Sequence, residues 1–364
     1  PCVNFLRSDH GLNEQFQRFC NMEFNDSSFD TKVEMSVEDS RALDIMERSV
    51  QLRDGHYQVA LPWRNFPPWL PNNRSLAEHR LNQLKKLLLN DPKLHLKYSE
   101  FIDNLLKKEY ARAVPENVIK HPKQPLWYLP HHPVFNPNKP EKIRVVFDCA
   151  AQFRGVSLSQ LLQGPDLTNS LFGVLICFRE EPVALMADIE AMFHQVHVSP
   201  DDYDALRFLW WPNNDLNEEP QEFQMMVHLF GATSSPSCAN FALRKTADDN
   251  SDEFGKAISD IVTKNFYVDD CLKSVEDDDE GVNVARSLSC LLNRGGFRLT
   301  KWVSNSVKVM ESVTEEERSG TVKDLNLDQP TIQRALGVNW DVVMSSVSKQ
   351  SSKKSLQLDE GYSR

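Results

Sequence analysis

The sequence predicts an α+β chain, because helical and strand-like patterns occupy different stretches. Capped helical patterns fill the first part, and from Trp127 onward apolar, β-branched runs alternate with turn residues such as Pro and Asn. At 364 residues, 40% hydrophobic and 26% charged, the chain has the composition of a globular protein of two or three domains. We expect domains at 1–115 and 116–345, and a polar, disordered tail at 346–364.

The N-terminal domain is predicted to be largely helical. Residues 34–50 predict a helix that begins at Ser36 or Asp39. Ser75 and Glu78 have the spacing of a capping box, which predicts the start of a second helix there. A third helix is predicted to follow the Asp-Pro pair at 91–92, with apolar residues at helical spacing: Tyr98, Phe101, Ile102 and Leu105.

The second domain is predicted to contain strands at 126–135 and 142–149 and a buried strand that ends on Asp188. Residues 157–178 read as helical on both sides of Gly164-Pro165. We expect the His131-His132 pair to lie on the surface, because no third metal ligand is nearby. The acidic runs 276–280 and 315–317 lack the spaced ligands of a calcium loop and are predicted to be solvated loops.

Charge and cysteine usage narrow the class of protein. The net charge of −11 argues against indiscriminate nucleic-acid binding, although residues 61–150 carry 15 Lys and Arg against 8 Asp and Glu. The next 150 residues carry 11 Lys and Arg against 24 Asp and Glu. Either a basic channel lies beside an acidic centre that binds metal ions, or these charged side chains are solvated on the surface. Seven cysteines without a CxxC or a His-paired cluster indicate reduced, intracellular thiols.

The sequence contains neither a membrane-spanning run nor a signal-peptide pattern at its start. We therefore expect no membrane partner. Because the chain begins without Met, we also expect it to be a piece of a longer protein.

Adjacent carboxylates stand inside the apolar run NFYVDDCL at 265–272. Asp269 and Asp270 repel each other and resist desolvation, so their presence inside an apolar run requires an explanation. A tight turn is one interpretation, since Asp is common at hairpin tips. Divalent cations are the other: two ions about 4 Å apart, as in nucleotidyl transfer, would offset the repulsion. Asp188, at the end of its own apolar strand, is the candidate third ligand.

Six stretches in order resemble the motifs of reverse transcriptases, most closely those of Bel/Pao-type long-terminal-repeat retrotransposons. They are KIRVVFD (142–148), ALMADIEAMFHQV (184–196), HLFGATSSPSCANF (228–241), FYVDD (266–270), GGFRLTKWVSN (295–305) and RALGVNW (334–340). The resemblance covers about residues 125–345, and the preceding stretch resembles the connector of Bel/Pao polyproteins. It implies a right-hand polymerase fold, with fingers and an antiparallel palm sheet packed on helices, preceded by that mainly helical connector.

The resemblance also implies roles for individual residues. Asp188, Asp269 and Asp270 would bind two Mg²⁺ or Mn²⁺ ions, with Asp188 and Asp269 as the bridging pair, and Lys301 would protonate the departing pyrophosphate. Arg144 and Lys142 would contact the triphosphate. The remaining implied contacts are with the sugar (Phe193), the template base (Phe230 and Gly231) and the primer (Leu336 and Gly337).

The implied function is RNA-directed DNA polymerase, with a primed RNA or DNA template and deoxynucleoside triphosphates as partners. The location implied is intracellular and cytoplasmic, including virus-like particles. Other polyprotein segments would be partners: no Asp-Thr-Gly or Asp-Ser-Gly of an aspartic protease occurs, and a ribonuclease H or an integrase would not fit after residue 345. The alternative is an element-derived relic without catalysis that at most binds nucleic acid or a protein.

Overall fold

The structure, a computed structural model, describes residues 35–136, 139–320, 332–335 and 338–341. The α-helices in the described part are α1 (Val37–Ser49), α2 (Arg74–Asn90), α3 (Pro92–Lys107), α4 (Glu116–Lys120), α5 (Leu171–Cys177), α6 (Ser235–Asp249), α7 (Ser251–Phe254), α8 (Lys256–Lys264), α9 (Asp278–Asn293) and α10 (Val307–Ser312). Short 3₁₀ turns lie at Leu158–Gln160, Met192–Gln195, Pro200–Leu206 and Pro212–Asn214.

The strands form several small sheets, which confirms the mixed α and β class. They are β1 (Gln51–Arg53), β2 (His56–Val59), β3 (Ala111–Ala113), β4 (His131–Asn136), β5 (Lys139–Phe147), β6 (Val183–Ile189), β7 (His197–Val198), β8 (Arg207–Trp210), β9 (Gln221–Met225), β10 (Phe266–Tyr267), β11 (Asp270–Val275), β12 (Leu299–Ser304), β13 (Ile332–Ala335) and β14 (Val338–Asp341). The four-stranded antiparallel sheet has the order β10-β11-β6-β12. The other sheets are β1-β2-β7, β3-β9-β8, β4-β5 and β13-β14.

Two large apolar clusters hold these elements together. The first packs the four-stranded sheet against α1, α6, α8 and α9 and includes Leu185, Phe266 and Leu292. The second packs α2 and α3 against β5, β8 and β9, around Trp127 and Trp210. Because the second cluster takes residues from both sides of position 115, the expected domain boundary stays a prediction. No helix in the described part is long and apolar enough to cross a membrane.

The helix starts agree with the sequence at two of three places. Ser36 caps α1 and Asp91 caps α3, each side chain accepting a backbone N–H bond of the first turn. The predicted capping box at Ser75 is wrong, because α2 begins at Arg74 after Asn73. The Asn73 side chain bonds the backbone of Tyr128 through both its oxygen and its nitrogen, each at 2.7 Å, which ties α2 to the strand region instead.

Some local predictions are wrong because tertiary packing overrides the pattern. Within 157–178, the residues before Gly164 form a single 3₁₀ turn instead of a helix, and only α5 is helical after it. The acidic run 276–280 is not a loop, since Asp277 caps α9 and the following acids occupy its first turn. The expected polar tail lies outside the described residues.

His131 is also buried, contrary to the expected surface position. Its Nδ1 accepts from the Tyr98 hydroxyl at 2.5 Å and its Nε2 donates to the Leu209 carbonyl at 2.9 Å. Burial lowers the pKa of His131 to about 4, so the ring is neutral and belongs to the core. His132, next to it, is exposed.

A buried ion network fixes the sheet β3-β9-β8. Arg207, 1% exposed, bonds Asp204 at 2.8 Å and Glu222 at 2.6 Å. Glu222 also accepts from the Tyr128 hydroxyl at 3.0 Å and from Arg74 at the start of α2. Each charge therefore has a partner, which is the condition for burying it.

We expect Arg207→Met to lower the free energy of unfolding by about 3–5 kcal/mol, because it leaves the buried Asp204 carboxylate without its cation and Glu222 with Arg74 alone. Urea denaturation measures the change. Lys308→Met is the matched control: it also removes a cation from an ion pair, but that pair with Asp279 is exposed, and the midpoint should hardly move. Equal midpoints for both variants would contradict the role of the network.

Candidate functional site

The three acids predicted as metal ligands lie together on the four-stranded sheet. In the antiparallel pairing of β11 with β6, Asp270 lies directly opposite Asp188. Asp269 stands in the two-residue turn between β10 and β11, and its carbonyl accepts from the Ile189 N–H at 2.8 Å. The tight turn and the candidate cation site, which were alternative interpretations of the Asp-Asp pair, are thus the same feature, because the hairpin turn places Asp269 beside the end of β6.

The backbone at this site is strained. Val268, the first residue of the turn, has a φ of 56°, a conformation that β-branched residues rarely adopt. Ala191 just after β6 has a φ of 49° and Lys301 in β12 has a φ of 55°. Each left-handed non-glycine residue costs roughly 1–2 kcal/mol. The surrounding sheet holds these conformations, and such strain is typical of functional sites.

Burial and mutual repulsion raise the pKa of two of the acids. The pKa of Asp270 rises to about 6, first through desolvation and then through the charges of Asp269 and Asp188. Desolvation and then Asp188 also raise the pKa of Asp269, against a backbone hydrogen bond and Lys301, which lower it. A positive charge between these carboxylates would therefore be favoured.

The cation present at the site is the Lys301 ammonium, whose Nζ lies 2.8 Å from Oδ2 of Asp188. The residues described by the structure contain no group of three or more His, Cys, Asp or Glu side chains poised to hold a metal ion. The donor chemistry nevertheless fits Mg²⁺ or Mn²⁺: carboxylate oxygens are hard ligands, and Mg²⁺ takes only one or two of them beside water and phosphate oxygens. The predicted metal role of the three acids stays a prediction.

An aromatic patch is formed by Phe193 and Phe230. Phe193 lies on the 3₁₀ turn that follows β6, and its ring centroid is 4.4 Å from that of Phe230. The guanidinium of Arg144, from β5, lies 5.6 Å from the Phe230 ring centroid. These three residues come from motifs far apart in sequence, and the fold brings them into contact, with the two rings tilted by 50° and the guanidinium over the Phe230 ring.

Gly231 has a φ of +100°, and a Cβ there would lie 3.3 Å from the Phe147 carbonyl oxygen. Glycine is required both by the backbone conformation and by this close approach. Lys142 is exposed on β5, and no described contact joins it to the acids. Leu336 and Gly337 lie outside the described residues.

Sequence reasoning missed Glu190, which links three elements beside the acids. Its carboxylate contacts Lys108 at 2.6 Å, at the end of α3, and Arg298 at 3.4 Å, before β12. Its backbone N–H donates to the Arg298 carbonyl at 3.0 Å. The Lys108 hydrogen bond is the main reason that the pKa of Glu190 is lowered. The available signal was its position two residues after Asp188.

We expect Asp270→Asn to raise the free energy of unfolding at pH 7.5 in EDTA, by about 2 kcal/mol, because it removes a carboxylate whose ionisation opposes folding. The pKa of Asp270 moves from 3.8 to about 6 on folding, so its ionisation lowers stability as the pH rises through that interval. The gain should be complete above pH 6 and vanish near pH 4.

Denaturation curves across this pH range test the expectation. Asp260→Asn is the control, because Lys264 lowers the pKa of that exposed acid and its loss should bring no gain. A gain at Asp270 that stayed constant down to pH 4 would show that ionisation is not its cause.

No protein-family profile and no curated protein matches the chain. Among solved structures, it is similar to a foamy viral protease-reverse transcriptase in complex with double-stranded DNA: 16% identity and a TM-score of 0.39, over 57% of this chain and 31% of that one. It is also similar to a Prototype Foamy Virus protease-reverse transcriptase mutant, with 17% identity and a TM-score of 0.40, over 81% of this chain and 31% of the other. The chain thus spans about a third of these proteins.

Proposed function

We propose that the chain is the fingers and palm region of an RNA-directed DNA polymerase from a Bel/Pao-type retrotransposon polyprotein. The observation that carries the proposal is the arrangement of Asp188 and Asp270 on adjoining strands of one antiparallel sheet, with Asp269 in the turn that leads into the second of these strands. In a right-hand polymerase this sheet would be the palm and the β4-β5 ribbon would belong to the fingers, while α2 and α3 would belong to the preceding connector. The six sequence motifs, in family order, support the same function.

The chain's own residues suit nucleotidyl transfer. Asp188 and Asp269 would share two Mg²⁺ or Mn²⁺ ions, and Asp270 would assist from β11. Bound there, the ions would activate the primer 3′-hydroxyl and stabilise the charge of the leaving pyrophosphate. Arg144, exposed and held against Phe230, would neutralise triphosphate charge, and Lys142 on the same strand would add to it.

The neighbouring residues would select and position the substrates. Phe193 would exclude a 2′-hydroxyl beneath the sugar, while Gly231 and Phe230 would face the templating base. Lys301 would donate a proton to pyrophosphate. Leu336 and Gly337 would contact the primer. A primed RNA or DNA template, deoxynucleoside triphosphates and the remaining polyprotein segments would be the partners.

The second candidate is a relic that binds nucleic acid or a protein without catalysis. It is favoured by the ion pair between Lys301 and Asp188 and by the lack of a preformed metal group in the described part of the chain. The two candidates differ in whether the carboxylates support cation-dependent synthesis.

Primer extension on poly(rA)/oligo(dT) tests the proposal directly. We expect deoxythymidine incorporation that requires Mg²⁺ or Mn²⁺ and that falls at least about a thousandfold in Asp269→Asn, because one shared ligand of both ions is removed. Asp260→Asn changes an exposed acid of α8 in the same chemical way and should keep full activity. No incorporation by the folded protein with either cation would support the relic instead.

Phe193→Val should relax sugar selection. Removing the ring atoms removes the clash with a 2′-hydroxyl, so ribonucleotide incorporation should rise relative to deoxynucleotide incorporation. Because Phe193 also packs against the first apolar cluster and Phe230, truncation of a core ring would instead cost up to about 3–5 kcal/mol.

Parallel kinetics with both nucleotide classes and a melting curve separate these effects. The matched control is Phe254→Val, which truncates another partly buried ring packed against the first apolar cluster and should leave the nucleotide preference unchanged. An unchanged preference in a folded, active Phe193→Val variant would exclude a steric gate.

A further inference from the structure

Among the described residues, Lys301 makes the one ion pair with the three carboxylates. Its side chain is 66% exposed, while that of Asp188 is 20% exposed. The ammonium therefore approaches the acids from solvent, at the end of a flexible four-carbon chain.

A bulge in β12 aims this side chain. Thr300 lies opposite Asp188 and Val303 lies opposite Met186, so one extra residue is inserted between these pairs. In a regular strand Lys301 would point to the face opposite from Thr300, and hence away from Asp188. The bulge, with Lys301 at a φ of 55°, turns the side chain back to the acids.

The bulge is anchored on its other side. The Trp302 N–H donates to the Glu317 carbonyl at 2.9 Å, and the Trp302 carbonyl accepts from the Ser319 N–H at 3.0 Å. The Trp302 side chain is 2% exposed. The backbone hydrogen bonds and the packing of Trp302 thus hold the backbone at Lys301 in place. The Lys301 side chain itself is exposed and can change conformation.

Electrostatics make the ammonium and a divalent cation alternatives. The Lys301 ammonium, in contact with Asp188, offsets the negative charge of the acids as a divalent cation would. An ion on the Asp188 oxygens would meet a like charge 2.8 Å from one of them. The ion pair must therefore break when Asp188 becomes a metal ligand.

We propose that Lys301 is a built-in counter-cation that occupies Asp188 until divalent cations arrive, so that cation binding and release of the ammonium are coupled. The inference rests on the proposed function for the identity of the cations. Release leaves the ammonium beside the acids, where it can turn to the phosphates of a bound nucleotide. The bulge at Lys301 thus serves two states of one side chain.

The experiment measures Mn²⁺ binding to the full chain without nucleotide, by electron paramagnetic resonance of free Mn²⁺. Lys301→Met should bind Mn²⁺ about fivefold or more tightly than the wild type, because no ammonium has to be displaced. Without cations the same variant should melt at a lower temperature, since the acids lose their counter-charge. Saturating Mn²⁺ should narrow or reverse that difference.

Two further variants complete the test. Lys264→Met removes an equally exposed ammonium from an ion pair with Asp260 and should leave Mn²⁺ affinity unchanged. Lys301→Gly also removes the ammonium, and it suits the left-handed backbone, so it replaces Lys301→Met if that variant does not fold.

Equal or weaker Mn²⁺ binding by the Lys301 variants, with binding by the wild type, would overturn the inference and leave the metal site standing. No Mn²⁺ binding by the wild type or by any variant would overturn the metal site itself, and with it the proposed function. Tighter binding that persists in Lys301→Met combined with Asp269→Asn would place the ion elsewhere and also overturn the inference.

Discussion

The repulsion among Asp188, Asp269 and Asp270 is the constraint on which the rest of the site depends. The β-sheet register brings the acids together whether or not a positive charge is present. Their partial burial disfavours the ionised carboxylates and also strengthens the repulsion among them, and the two effects, burial first, raise the pKa of Asp270. The neighbouring features either hold the acids in place or offset their charge.

Backbone conformation holds them in place. The left-handed Val268 closes the hairpin so that Asp269 reaches the end of β6, and the left-handed Ala191 turns the chain from Asp188 into the turn that carries Phe193. Glycine would adopt these angles more readily, yet it would also loosen both turns. The packed sheet and its helices supply the stability that such strain requires.

Positive side chains offset the negative charge both at Asp188 and at the neighbouring Glu190. Lys301 contacts Asp188 directly, while Lys108 and Arg298 meet at Glu190 just beyond it. Lys108 directly follows α3, and α3 packs in the second apolar cluster through Tyr98, so the Glu190 ion pairs join the acid-bearing strand to that cluster. The buried Arg207 network joins β8 to β9 within the same cluster. Movement of α3 would therefore shift Lys108 and, through the ion pair, Glu190 next to the acids.

The sequence by itself determined part of the local structure and the residue types of the site. Caps at Ser36 and Asp91 and the apolar strand before Asp188 were readable because they depend on neighbours within a few residues. Only the tertiary structure decided that Asp270 lies opposite Asp188 and that a bulge directs the Lys301 side chain to the acids. It also decided that Glu190 forms ion pairs with Lys108 and Arg298, and that His131 is buried. Strand register and burial depend on contacts between residues far apart in the chain, and local periodicity does not encode those contacts.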